Sequence, residues 1–217
     1  VVLCPSEEAD IGMLIFNSDG SRAEMCGSAL RCVTHYNYEL SGKKQISIET
    51  DSGVKHGTVV ESEDKLLIEV NMGQAQILQP ELEIDGIKGY LVDVGNLHFV
   101  SYTDDLSNNP HLRHGRDIEH NEQFERGVNV QFARKIDDSQ VEMKIWEAAV
   151  GATLACGTGA VAVVSIGIAY LGLDDVVNVQ LPGGMVQIKK TGSEFLLIGE
   201  VERVFSGEYT WKISASI

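Results

Sequence analysis

A cysteine followed by glycine occurs twice in this chain, as Cys26-Gly27 and Cys156-Gly157, and the two dipeptides stand 130 positions apart. The same offset carries Met13, Ile15 and Phe16 onto Met143, Ile145 and Trp146, and Leu66-Leu67-Ile68 onto Leu196-Leu197-Ile198. Three separate matches at one offset indicate an internal duplication, with chance likeness of two strand–helix units as the competing account. Each half then reads strand, turn, Cys-Gly, helix, further strands. Such a chain is expected to fold as two related α+β units, residues 1–78 and 79–207, with a last strand near 208–217 returning to the first.

The elements follow from hydrophobic period. Met13–Phe16, Ile46–Thr50, Leu66–Val70, Val141–Trp146, Val177–Leu181, Met185–Lys189 and Phe195–Val201 alternate or form short apolar runs bounded by turn residues, the pattern of strands. Gly27–Leu40 and Gly157–Leu171 read as helices. The second is apolar nearly all round and is expected to be buried. Thr103–Glu125 is polar and reads as a solvated loop or as a loop with a short helix. Its histidines, His111, His114 and His120, lack the companion spacing of a metal site.

Charge narrows the partners. Seventeen basic against 32 acidic residues leave a formal net charge of −15, which argues against nucleic acid or an anionic membrane surface. The longest apolar stretch, Ala160–Leu171, is interrupted by Ser165 and Gly167 and falls short of the ~20 residues of a membrane span. Four cysteines are sparse for a disulfide-stapled secreted fold, so a reducing compartment, the cytoplasm, is expected. Val1-Val2-Leu3 lacks a basic leader, so no signal peptide is expected, and it starts as if within a strand, so residues upstream are expected.

Each Cys-Gly pair falls where a strand gives way to a helix. A helix start exposes unpaired N–H groups and a partial positive charge, which stabilise a thiolate and attract a carboxylate. Two such starts face to face would place two thiols on either side of one small anion. One thiolate could remove the proton next to the carboxylate and the other thiol deliver one to the opposite face, inverting the centre. Three duller accounts compete: buried structural cysteines, a Cys26–Cys156 disulfide, and a dinucleotide turn in Gly157-Thr158-Gly159-Ala160-Val161-Ala162 with Asp174 or Asp175 as the ribose acid. The strands and glycine turns that follow do not support the doubly wound fold that the last would need.

The motifs Asn17-Ser18-Asp19-Gly20-Ser21, Glu24-Met25-Cys26-Gly27 with Arg31-Cys32, Gly95-Asn96-Leu97-His98, Val128-Asn129, Trp146-Glu147, Thr153 to Ala160 and Leu181-Pro182-Gly183-Gly184 resemble the diaminopimelate epimerase family over almost the whole chain. The resemblance implies a cofactor-independent amino-acid epimerase acting on LL- and meso-diaminopimelate in lysine and peptidoglycan precursor biosynthesis. It implies two pseudo-symmetric halves, each a curved mixed sheet around a central helix, with the active site in the cleft between them. It makes Cys26 and Cys156 the acid–base pair and gives the α-carboxylate to the backbone of Gly27-Ser28 and Gly157-Thr158. It makes Asn17, Asn96, Asn129 and Glu147 substrate contacts, and sets His98 and Glu147 beside the thiols to tune them. It implies a small amino-acid substrate, no metal, and a fold compatible with a homodimer.

The departures concern the substrate. Ser28 replaces an asparagine of the family, Ala148 an arginine that grips the distal carboxylate, and Ala152 a glutamate; Leu97 and Phe99 flank His98 where the family has proline and cysteine. A family segment carrying a further substrate asparagine precedes Val1. Ala148 is the reason to keep open a racemase of another amino acid, with a non-catalytic binding protein as a further alternative. On physics alone Asn17 and Asn96 are turn residues beside glycine, Glu147 is a costly carboxylate in an apolar strand, Cys32 belongs to the core and Cys4 is structural.

Overall fold

The computed structural model describes residues 1–16, 20–23, 25–62 and 65–210. Asn17 and Glu24 of the motifs above lie outside them, as does most of the strand expected near 208–217; residues 208–210 are irregular.

Chain order gives β1 (Val2–Cys4), β2 (Ile11–Phe16), β3 (Arg22–Ala23), α1 (Gly27–Ser41), β4 (Gln45–Thr50), β5 (Gly53–Ser62) and β6 (Lys65–Gly73). There follow β7 (Gln76–Ile84), β8 (Ile87–Asp93), β9 (Leu97–Tyr102), α2 (Pro110–Glu119), β10 (Asn129–Asp137), β11 (Gln140–Glu147), β12 (Gly151–Ala152), α3 (Gly157–Tyr170), β13 (Val176–Leu181), β14 (Gly184–Thr191) and β15 (Glu194–Glu200). One mixed sheet runs β1-β2-β4-β5-β6-β15-β14-β13-β11-β10-β9-β8-β7, with β3 on β2 and β12 on β11. This is an α+β fold of two pseudo-symmetric halves, and the strands and helices expected between Met13 and Val201 are present.

The duplication is visible in the hydrogen-bond register. Leu3 opposes Met13, and 130 residues later Ala133 opposes Met143. Phe16 opposes Arg22, and Trp146 opposes Ala152. In each half a strand, a helix and a parallel strand form one crossover, β2-α1-β4 and β11-α3-β13. The halves join where β6 meets its own counterpart, β15, antiparallel. Ile68 opposes Gly199 and Glu69 opposes Ile198, so the local two-fold axis passes between these pairs.

The helices are held by apolar contact. Nine residues of α3 are buried, Gly159 to Gly167 without a break, as its uniform apolarity requires. From α1 only one face is buried, through Ala29, Leu30, Val33 and Thr34. Cys32 lies on the other face and is exposed, which corrects its assignment to the core. Side chains on one face of a helix recur three to four residues apart, and Cys32 falls between Leu30 and Val33. The strands β7, β8 and β9 extend the sheet beyond β10, and helix α2 lies between β9 and β10 in sequence. Helix α2 packs against Trp146 because Gly115 has no Cβ; one built there would stand 2.6 Å from Trp146 Cγ.

Candidate active site

Both helices begin at their cysteines. Cys26 and Cys156 are the N-caps of α1 and α3, with nearly the same extended backbone, φ −147° and −141°. The first internal bonds are Leu30 N–H to Cys26 O and Ala160 N–H to Cys156 O. The N–H groups of Gly27, Ser28, Ala29, Gly157 and Thr158 therefore have no acceptor within their helices. The two starts meet. A Cβ on Gly157 would lie 3.8 Å from the Gly27 Cα, with Leu197 and Met72 as the floor beneath both glycines. Glycine at both positions lets two backbones with exposed donors come this close.

The two cysteines are not equivalent. Both are free thiols, Cys26 half-buried and Cys156 buried. The Cys156 sulfur accepts from Gly159 N–H at 3.3 Å and lies 3.5 Å from Thr158 Oγ1. Its pKa is pushed up to about 12, first by burial and then by the Glu147 carboxylate; the Thr158 and Gly159 donors pull it down by less. The lowering expected of a helix start is thus present but outweighed, because removing the sulfur from water penalises the thiolate more than two donors repay.

Behind Cys156 lies a polar face of the sheet. His98 on β9 stands in parallel register with Asn129 on β10, so His98, Asn129 and Gln131 project to one side. Asn129 Nδ2 donates to Leu97 O and its Oδ1 accepts from Ala148 N–H, tying the end of β9 to the loop after Glu147. His98 is fully buried, with Nδ1 3.1 Å from Gln131 Oε1 and Nε2 3.0 Å from Asn96 Oδ1. Burial lowers its pKa to about 4. Both of its ring nitrogens are therefore taken by carboxamides.

Of the residues singled out from sequence, Gly27, Ser28, Gly157 and Thr158 frame the helix junction, and Glu147 reaches Cys156. Asn96 and Asn129 lie on the His98 side, and Asn17 is outside the described residues. Gln131 was missed. The alternation Val128-Asn129-Val130-Gln131-Phe132, polar on one side only, is the signal that could have found it. Among the described residues no cluster of His, Cys, Asp or Glu could hold a metal ion. No described helix is long and apolar enough to cross a membrane.

Gly159 connects the two regions. A Cβ there would stand 2.9 Å from Gln131 Nε2 and 3.2 Å from Cys156 Sγ. Alanine is a better helix former by about 1 kcal/mol. Gly159→Ala is nevertheless expected to lower stability by about 1–3 kcal/mol through overpacking, read as a lower urea midpoint with unchanged m-value.

The family model described as diaminopimelate epimerase matches residues 1–78 and 90–204. The diaminopimelate epimerase of Carboxydothermus hydrogenoformans is 40% identical, over 96% of this chain and 82% of its own length. That of Methanococcus maripaludis strain C6 is 34% identical, over 96% and 83%. Among solved structures, a hydroxyproline epimerase from Agrobacterium vitis superposes with TM-score 0.70 at 16% identity, covering 91% of this chain and 70% of that one. A Bacillus anthracis phenazine biosynthesis protein of the PhzF family gives 0.65 at 14% identity, over 91% and 80%.

Proposed function

Because the chain belongs to the diaminopimelate epimerase family, we infer that it interconverts LL- and meso-diaminopimelate by proton transfer at an α-carbon. The observation that carries this reading is the meeting of two cysteine-capped helix starts at Gly27 and Gly157. The α-carboxylate binds the free N–H groups of Gly27-Ser28 and Gly157-Thr158, where the helix field also stabilises charge that develops as the α-proton leaves. The pathway that such an enzyme serves, lysine and peptidoglycan precursor synthesis, places it in the cytoplasm.

The raised pKa gives the thiols different resting roles. Cys156 rests protonated and is the acid that delivers a proton, so Cys26 is the base that removes one. In the reverse direction the roles exchange, and Cys156 must first lose its proton. Asn96 and Asn129 contact the remainder of the substrate, with Asn17 as a further contact from sequence. Glu147 lies close enough to Cys156 to influence that proton, and His98 acts behind Asn96.

Turnover of LL-diaminopimelate in D2O should place deuterium at the inverted α-carbon. Product formed in early turnover without solvent label would count against two separate bases. Specificity is a second matter. At position 148 the distal carboxylate meets a methyl group; Ala148 N–H is taken by Asn129, and its Cβ is near Gly127. Ala148→Arg should lower KM for diaminopimelate about tenfold by supplying a bidentate partner, a charge-assisted bond being worth about 1.5–3 kcal/mol. A substrate without a second carboxylate should gain nothing. Preference of the unmodified chain for such a substrate would instead favour a racemase of another amino acid, the reading that Ala148 keeps open.

A further inference from the structure

His98 touches two oxygens, yet a neutral imidazole can donate only one hydrogen bond. A fully buried ring with no carboxylate on either nitrogen is neutral at working pH, as its lowered pKa also indicates. One of the two carboxamides must therefore turn its nitrogen to the ring. Asn96 is exposed, and water can satisfy either end of it. Gln131 is fully buried, and its Nε2 has no hydrogen-bond partner while Oε1 faces the ring. A buried N–H without a partner costs about 1–3 kcal/mol. Turning the Gln131 amide by half a turn gives Nε2 an acceptor and puts the oxygen in the unpartnered place, the smaller cost, since under-satisfied carbonyl oxygens are commoner in folded proteins than orphaned N–H groups. Nε2–H then donates to His98 Nδ1, the ring proton sits on Nε2, and Nε2–H donates to Asn96 Oδ1. Each hydrogen bond in the line then joins one donor to one acceptor.

We propose that Gln131 is a positioning residue for the epimerase reaction: it fixes His98 as the Nε2–H tautomer and, through it, turns the Asn96 carboxamide so that its Nδ2–H group is presented to substrate. This rests on the reading of Asn96 as a substrate contact. The turned Gln131 oxygen faces the first turn of α3, on the side where the Cys156 sulfur lies, since both crowd the Cβ position of Gly159.

The test combines a spectrum with kinetics. Long-range 1H–15N correlation of the 15N-histidine-labelled protein should show His98 with its proton on Nε2. Gln131→Leu keeps the volume but leaves Nδ1 without a donor, so the tautomer should become mixed. KM for diaminopimelate should rise about tenfold with kcat within about threefold, as expected when an interaction shared by ground and transition states is weakened. Gln131→Glu should restore KM to within about threefold of the parent. A protonated carboxyl donates to Nδ1, and an ionised one makes His98 an imidazolium that donates from both nitrogens; in either case Nε2–H still reaches Asn96. A purely structural role would not give this rescue. A proton on Nδ1 in the parent protein overturns the proposal. So does a Gln131→Leu variant with unchanged KM, although the epimerase reading, which rests on solvent exchange and the thiols, would stand. Should the leucine variant fail to fold, the parent spectrum and the glutamate variant decide: Nε2–H in both with unchanged KM supports the proposal, and a ring that lacks Nε2–H in either overturns it.

Discussion

Alanine at position 26 or 156 should lower kcat/KM for epimerisation by at least about 10³-fold, equivalent to about 4 kcal/mol of transition-state stabilisation. Inversion needs a base on one face of the α-carbon and an acid on the other, so neither sulfur can stand in for the other. The two variants should differ in what survives. Cys156→Ala keeps the half-buried thiol of Cys26, and one diaminopimelate stereoisomer should still exchange its α-hydrogen slowly with D2O without inverting. Cys26→Ala keeps a thiol whose pKa is about 12, which rarely ionises near neutrality, so exchange should fall further. Cys156→Ala also removes the acceptor of Gly159 N–H, so its stability should drop by about 1 kcal/mol. The measurements are initial rates in both directions, deuterium wash-in and a urea titration. A single variant retaining a tenth of parental turnover would end the two-base account.

Acid should unfold this protein through His98 before it does so through the carboxylates. The folded pKa of about 4 lies below the ordinary 6.5, because burial disfavours the imidazolium. A depressed histidine contributes stability that is complete above the unfolded value and is lost as pH falls through 6.5 toward 4. At 1.36 kcal/mol per unit the loss is about 3 kcal/mol by pH 4. Asp10, held well below the usual carboxylate range by Lys43 and Ser47, releases its share only below its ordinary 3.8. Urea midpoints at pH 7 and pH 4.5 should therefore differ markedly in the parent and much less in His98→Gln, which retains amide partners for Asn96 and Gln131. Equal pH slopes in the two proteins would show that His98 carries no such linkage.

The repeat was the most legible feature because it is written in identities as well as in pattern. Ile68 and Ile198 could be matched by letter, and the register places them at equivalent points about the β6–β15 seam. The two helices were legible from Cys-Gly and from apolar content. The strands from Gln76 to Tyr102 were not. Residues Gln79 to Glu81 of β7 are exposed and include Pro80, and the β7–β8 register shifts twice, so no clean alternation survives. Helix α2 could be foreseen as a short helix somewhere in a polar run, but not its limits, since it touches the sheet through a glycine and a few neighbours. At the site, Glu147 stood out as a carboxylate in an apolar strand and His98 through the family resemblance, but neither reading contained their partners. That His98 is closed off by Asn96 and Gln131 depends on strand register, which spacing along one strand does not contain. The high pKa of Cys156 was equally out of reach, because a helix start announces its charge in sequence while the depth of burial belongs to tertiary packing.

A dyad through the seam would by itself treat the two faces of a carbon lying on it alike, which suits an amino acid whose mirror forms are to be mixed without preference. The seam does more than relate the halves. Met72 from β6 and Leu197 from β15 lie beneath both Gly27 and Gly157. A change in that shared floor is felt by both helix starts at once, so neither half can be loosened there while the other keeps its shape.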